Sequence, residues 1–470
     1  MTHSDTICAI ATPPGTGAIA VIRVSGELAR EICDPLFIPH KKGASILEQK
    51  PNTIHYGTFR NKDEVIDEVL VSFFQAPHSY TGEDVLEISC HGSVFIQQKL
   101  LQAIMKGGAR MAEPGEFTMR AFLNGKMDLS QAEGVADLIA SSSEASHKMA
   151  LQQMRGGFSH EIKKLREKLL HFISLIELEL DFGEEDVEFA DRGQLNELLQ
   201  EILEVVNKLT GSFEAGNVLK NGVPVAIIGD PNVGKSTLLN ALLREDRAIV
   251  SEIAGTTRDV IEDVINLQGI AFRFIDTAGL RHTTDKIETL GIAKTNEKIQ
   301  QASVILYLTD ATASFEELDQ AFASLKENPH TEGKKILFLL NKADQLDKYE
   351  HYEKRNKGNY ASLSGDDHLY LVSAKNHEGV DHIIDELVSI YHLNQYSEQD
   401  ILVSNLRHYQ ALEKAGEALE RAREGLKNGL PEDLLAQDIR EALHYLGEIT
   451  GEISTDEVLG NIFKNFCIGK

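Results

Sequence analysis

The chain has 470 residues, and at roughly 100–200 residues per domain this predicts two to four domains rather than one core. Hydrophobic residues make up 42% and charged residues 26%, ordinary globular values that exclude a wholly disordered chain. Lys plus Arg total 47 against 73 Asp plus Glu, a formal charge of −26 that excludes a broadly basic nucleic-acid coat but not a local basic path. Four cysteines (Cys8, Cys33, Cys90, Cys467) lie far apart without a CxxC spacing, so neither a disulfide framework nor a zinc knuckle is expected. A reducing compartment, the cytoplasm, suits them. The N-terminus carries Asp5, Arg23 and two prolines without a basic lead, so it is not read as a signal peptide. No run of about 18 apolar residues is present, and no membrane span is expected.

In chain order, short β-like runs at 18–24, 68–74 and 85–90 are broken by Gly and Pro clusters, predicting a small mixed α/β domain over residues 1–118. From Leu129 the period becomes helical. Phe158, Ile162, Leu165, Leu169, Phe172, Ile176 and Leu180 recur at three- and four-residue steps, followed by Leu195, Leu198, Ile202, Val205 and Leu209. Long amphipathic helices are expected over 119–215. Strand-like runs at 223–228, 271–276, 303–310, 335–340 and 369–372 then alternate with helical segments, predicting βαβ units and a mainly parallel sheet over 216–384. Helical spacing returns over 385–470, at Leu406, Tyr409, Leu412, Leu419 and Leu426, then Leu434, Ile439, Leu443 and Leu446. The expected fold class is therefore multidomain α/β plus all-α. The parallel-sheet domain is inserted into a discontinuous helical domain whose halves pack together. Cys90-His91 is not a metal pair, because adjacent strand residues point to opposite faces.

Gly229-Asp-Pro-Asn-Val-Gly234-Lys235-Ser236 fits GxxxxGK[ST], after an apolar strand and before a helical run. The loop N–H groups would face phosphate oxygens, with Asn232, Val233, Gly234 and Thr237 at the cradle. Lys235 would reach the β/γ-phosphates and the Ser236 hydroxyl would bind Mg²⁺. Asp276-Thr277-Ala278-Gly279 ends a strand, where a carboxylate can hold Mg²⁺ through water and the Gly279 N–H can meet the γ-phosphate. Asn341-Lys342-Ala343-Asp344 follows an apolar strand, and the Asp344 acceptor would pair with guanine donors while rejecting adenine. Ser373-Ala374-Lys375 would cover the base. Four such elements in order at βα junctions predict a Ras-like P-loop domain binding GTP.

The segment from Ser251 to Asp259 reads as a switch, with Thr257 chosen over Thr256 as the second Mg²⁺ ligand. After Gly279 comes Leu280, where Ras-type proteins place a water-orienting Gln, and Leu cannot orient water. Hydrolysis must use another polar residue or a partner; Asp285 and Glu288 are the candidates.

The chain resembles the MnmE (TrmE) family of tRNA modification GTPases over nearly its whole length. The resemblance rests on the GTPase motifs and on the N-terminal runs Pro77-His-Ser-Tyr-Thr-Gly-Glu-Asp84, Glu113-Pro-Gly-Glu-Phe-Thr118 and Asn124-Gly-Lys-Met-Asp128. It rests also on the ending Cys467-Ile-Gly-Lys470. It implies an N-terminal domain similar to folate-binding one-carbon transfer domains, through which the chain forms a homodimer. It implies a flavoprotein partner, MnmG (GidA), in a heterotetramer that installs an aminomethyl or carboxymethylaminomethyl group on C5 of the wobble uridine of certain tRNAs. The one-carbon unit would come from 5-formyl- or 5,10-methylene-tetrahydrofolate.

The resemblance further places folate contacts on Arg23, Glu87, Lys126 and Lys470. It places K⁺ at Asn232, Ser251, Ile253 and Thr256, the family's water-orienting glutamate at Glu288, and Cys467 near the folate, as nucleophile or redox group. A GTP switch that binds ribosome or RNA without modification chemistry is the alternative; it leaves the N-terminal runs and the terminal Cys idle. Between Glu177 and Glu204 stand eleven acids and the single base Arg192. Such a chain is not expected to hold tRNA alone, so the flavoprotein should supply much of the phosphate contact.

Overall fold

The computed structural model describes residues 5–40, 45–181, 192–244, 263–275, 291–346, 360–364, 367–390, 400–464 and 466–470. It divides into two compact units, one of Met1–Ala136, Gln153–Leu199 and Glu417–Lys470, the other of Asp137–Gln152 and Gln200–Gly416.

The chain opens with β1 (Ile7–Ile10), β2 (Ile19–Ser25), α1 (Ala29–Cys33), β3 (Phe37–Pro39), β4 (Thr53–Asn61), β5 (Glu64–Phe74), β6 (Val85–His91), α2 (Val94–Lys106), β7 (Arg110–Met111) and α3 (Glu116–Leu123). These strands form one sheet ordered β3-β4-β5-β6-β2-β1-β7, antiparallel except where β1 lies beside β7. Alternation decides its faces: Leu86, Ile88 and Cys90 are buried while Glu87 and Ser89 between them are only partly so. The buried face packs Ile22, Val24, Phe59, Val71, Phe73 and Ile88 against Leu100 and Ile104 of α2. The β2–β6 register sets Arg23 directly opposite Glu87.

Helices follow: α4 (Leu129–Ala140), α5 (Glu144–Met154), α6 (Gly157–Asp181), α7 (Arg192–Gly211) and α8 (Phe213–Asn221). Within α6 and α7 the buried stripe runs through Ile173, Leu199 and Val206, with the expected Phe172, Leu198 and Val205 half-buried. Each of these stands in an adjacent apolar pair. A 3.6-residue period accepts either member, so packing made the choice.

In the second unit come β8 (Val223–Gly229), α9 (Lys235–Arg244), β9 (Asp263–Leu267), β10 (Ile270–Phe274), α10 (Gly291–Gln301), β11 (Val304–Asp310), α11 (Phe315–Lys326), β12 (Lys335–Asn341), β13 (His368–Leu371) and α12 (Val380–Ser389). The sheet order is β13-β12-β11-β8-β10-β9, parallel but for the antiparallel β9–β10 pair at one edge. One face carries α9 and α12 through Leu238, Leu242, Ile383 and Leu387; the other carries α10 and α11 through Ile299, Leu318 and Phe322. Both faces covered is the condition under which parallel strands read as unbroken apolar runs. A capping box at Ser314 and Glu317 starts α11.

Within α13 (Leu406–Lys427) the chain re-enters the first unit at Glu417, and α14 (Glu432–Thr450) and α15 (Asp456–Phe463) follow there. There α14 packs along α6, where Arg166 meets Glu452 and Arg440 meets Glu177. Within the first unit, helices from before and after the sheet domain thus pack against each other. No helix among the described residues is long and apolar enough to cross a membrane.

Candidate functional site

At the C-terminal end of β8 the chain leaves Gly229 and re-enters helix at Lys235, so residues 230–234 form a loop capping the N-terminus of α9. The first-turn N–H groups of Lys235, Ser236 and Thr237 lack intrahelical acceptors and carry the positive end of the helix dipole. Asn232 and Gly234 both take left-handed backbone, φ +63 and +101. At Gly234 no side chain fits, because a Cβ would stand 2.3 Å from the Asn341 Nδ2. Lys235 Nζ donates to the Gly229 and Asp230 carbonyls, at 2.8 and 2.7 Å. Burial holds its ammonium below the usual lysine range. A cation bonded to loop carbonyls beside the free amides of a helix N-terminus fits a polyphosphate.

The base side is tied to this loop by one side chain. Asn341 closes β12, donates from Nδ2 to the Val233 carbonyl at 2.7 Å and accepts at Oδ1 from the Ala374 amide at 3.0 Å. Ser373 Oγ donates to Asp344 Oδ1 at 2.7 Å, and the Ala343 amide donates to the Val372 carbonyl at 3.0 Å. Asn232, Val233, Gly234, Lys235, Ser236, Thr237, Asn341, Lys342, Asp344, Ser373, Ala374 and Lys375 therefore come together at the C-terminal ends of the parallel strands. Ile275, just before the Asp276 run, is buried and bonds the Val225 carbonyl beside β8. Ser251, Ile253, Thr256, Thr257, Asp276, Thr277, Ala278, Gly279, Leu280, Asp285 and Glu288 lie outside the described residues.

In the first unit Arg23 and Glu87 meet as cross-strand neighbours, with Arg23 Nε and Nη2 donating to Glu87 Oε1 at 3.0 and 2.8 Å. Arg23 Nη1 reaches the Gly469 carbonyl at 3.3 Å, and the guanidinium lies 5.2 Å from the Tyr80 ring centroid and 5.6 Å from that of Phe117. The C-terminal tail is seated on the sheet by Gly469, whose φ of +96 and approach to the Ile10 carbonyl (2.4 Å from a would-be Cβ) admit only glycine. Lys126 Nζ donates to the Pro77 carbonyl at 2.9 Å, and Cys467 is exposed. Burial pushes the thiols of Cys8 and Cys90 up to about 11, which leaves Cys467 as the accessible sulfur.

Under this site lies an ion cluster that sequence reasoning did not single out. Arg120, 1% exposed, bonds Glu116 Oε1 at 3.0 Å, Glu83 Oε1 at 3.1 Å and Asp5 Oδ1 at 2.8 Å; Arg110 also meets Glu116 and Asp5. Ser25 Oγ donates to Glu83 at 2.7 Å. Together these bonds fasten residues 77–84, and hence Tyr80, to β2 and α3. Burial acts to raise the Glu116 carboxyl, but bonds from Arg110, the Glu113 amide and Arg120 outweigh it and hold it below the ordinary range. The signal was present: Tyr80, Glu83, Glu116 and Phe117 all stand in two of the runs that carried the family resemblance. Among the described residues no group of three or more His, Cys, Asp and Glu side chains could hold a metal ion.

A family model described as the MnmE helical domain matches residues 129–467, and one described as the N-terminus of the GTP-binding protein TrmE matches residues 6–126. The chain is 54% identical over 468 residues to a protein of Bacteroides fragilis and 54% over 473 residues to one of Flavobacterium johnsoniae, each covering 100% of both chains. Both relatives are named tRNA modification GTPase MnmE. Among solved structures, an Era protein of Aquifex aeolicus bound to GDP and AlF4⁻ is 27% identical over 41% of this chain and 65% of its own, with a TM-score of 0.24. Two adjoining family models and full-length identity above one half place the chain in the MnmE (TrmE) family.

Proposed function

We propose that the chain is a potassium-stimulated GTP hydrolase acting in tRNA modification. With a flavoprotein of the MnmG (GidA) kind it adds an aminomethyl or carboxymethylaminomethyl group to C5 of the wobble uridine of certain tRNAs. The observation that carries the nucleotide reading is Asn341, which bonds the phosphate loop at Val233 and the base-covering loop at Ala374 at once. One side chain thereby sets phosphate and base contacts in a common frame. The tRNA reading is supported by relatives of equal length that are named for it.

Lys235 and the first turn of α9 bind the phosphates. Ser236 and Thr257 would hold Mg²⁺, with Asp276 acting through water, and the metal would neutralise charge on the β- and γ-oxygens. Asn232, Ser251, Ile253 and Thr256 would hold K⁺, and Glu288 would orient the attacking water in place of the Gln that Leu280 lacks. Asp344 and the Ser373–Lys375 segment read guanine.

In the first unit Arg23, Glu87, Lys126 and Lys470 would hold a tetrahydrofolate derivative, which supplies the one-carbon unit. A charged pair walled by Tyr80 and Phe117 fits a ligand with both flat apolar and ionic parts. We read residues 1–118 as the folate and dimerisation domain, 119–215 and 385–470 as the helical domain, and 216–384 as the GTPase domain. Ile54, Tyr56 and Leu70, exposed together on the sheet face away from the α2 core, support a homodimer through the first of these.

Mass spectrometry of wobble nucleosides from a strain lacking this gene, with and without its restoration, tests the proposal. Loss of the C5 group that returns with the gene is expected, and unchanged uridines would overturn it.

A further inference from the structure

Asp310 closes β11 and pairs across the ladder with Asn341, the last residue of β12. Its two carboxylate oxygens do different work. Oδ1 accepts from the Thr312 amide at 2.9 Å and the Thr312 hydroxyl at 2.7 Å, shaping the turn that follows the strand. Oδ2 accepts from Lys342 Nζ at 2.7 Å. Lys342 itself is locked at the other end, in left-handed backbone (φ +67) between Asn341, tied to the phosphate loop, and Ala343, tied to β13 through the Val372 carbonyl. Burial acts to raise the Asp310 carboxyl, and the bonds from Lys342 and Thr312 outweigh it, so the group stays ionised at neutral pH.

We propose that Asp310 is a positioning residue of the nucleotide site: by anchoring the Lys342 ammonium it stretches the lysine's four-carbon stem into a fixed apolar strap beside the loop that reads the base. This rests on the guanine-nucleotide reading above. The strap and Asp344 then divide the labour. A hydrocarbon stem contacts a flat base without regard to its substituents, whereas Asp344 pairs with donors that only some bases carry. An unanchored lysine would sample many rotamers and lose part of its contact to ordering cost.

The test uses Asp310→Asn in the full chain. The asparagine amide oxygen keeps the Thr312 bonds, and only the acceptor for Lys342 is lost. Calorimetric titration with GDP, inosine diphosphate (which lacks the 2-amino group) and ADP is the measurement. Asp310→Asn is expected to weaken GDP and inosine diphosphate by the same factor, about two- to fivefold, as fits one partly exposed ion pair lost beside the base. The double variant with Lys342→Ala should bind no more weakly than Lys342→Ala alone, because both remove one contact.

Asp344→Asn should instead change the ratio between the two nucleotides. Unaltered affinity in Asp310→Asn, a changed GDP-to-inosine ratio in that variant, or additive losses in the double variant would each overturn the assignment. A wild-type chain that bound GDP no better than ADP would overturn the guanine reading itself, a result distinct from all three.

Discussion

The nucleotide site and the Arg23 site are built from different materials. Around α9 the working groups are largely backbone: loop amides, the carbonyls of Gly229, Asp230 and Val233, and a short local stretch that needs only a strand before it and a helix after it. Around Arg23 they are side-chain charges: the Arg23–Glu87 pair set by sheet register, and beside it an ion cluster of Asp5, Glu83, Arg110, Glu116 and Arg120. A site built largely of backbone depends on glycine, on a helix terminus and here on the Asn341 bridge, and other side chains of the loop bear less on its frame. A side-chain site is only as firm as its pairings, since each buried charge left alone costs its full desolvation.

The sharpest way to break the contrast is Arg120→Met. It leaves Glu116, 2% exposed, without one of its two arginines and should cost about 3–5 kcal/mol in the unfolding of the first unit, read by thermal melting. GTP affinity should not move, and a loss there would erase the distinction. The same pairing sets an acid limit. A carboxyl depressed in the fold contributes stability that is complete above its unfolded value, about 4.3 for Glu, and is lost as pH falls through its folded value. Because Glu116 is held below the ordinary range, circular dichroism should show stability falling on acidification below that value, with a shallower fall in Arg120→Met.

Next in size, Lys235→Ala should lower GTP turnover roughly 100-fold or more, by removing the ammonium held on the phosphate loop, while changing the melting temperature little. A large drop in melting temperature would mean that the loop depends on side chains after all. Exchanging K⁺ for Na⁺ is expected to slow hydrolysis about tenfold, less than the roughly 100-fold or more of losing a positioned group outright, because the charge stays and only its fit is lost; equal rates in the two salts would remove the cation from the mechanism. The smallest effect on hydrolysis belongs to Cys467→Ser. The exposed thiol stands apart from the nucleotide loop in sequence and role, so GTPase rates should match wild type while wobble-uridine modification is lost. Retained modification would take the thiol out of the chemistry.

Legibility followed the same division. Gly229 to Ser236, Asn341 to Asp344 and Ser373 to Lys375 could be read without a structure, because phosphate loops and base-reading turns are contiguous stretches at strand ends, and the strands announce themselves as apolar runs. The layering of the sheet domain and the split helical segments were legible for the same reason, since periodicity is a local property. Left to the tertiary structure were the choices that local pattern leaves degenerate. Packing selected Ile173, Leu199 and Val206 over their apolar neighbours. Register paired Arg23 with Glu87, and chain return brought Gly469 to Arg23 from a separation of 446 residues. It also put Asp310 beside Lys342, two residues whose spacing of 32 carries no periodic signal. Backbone motifs are determined by their own few residues, whereas a constellation of side chains exists only once strands and tails far apart in sequence have been laid next to one another.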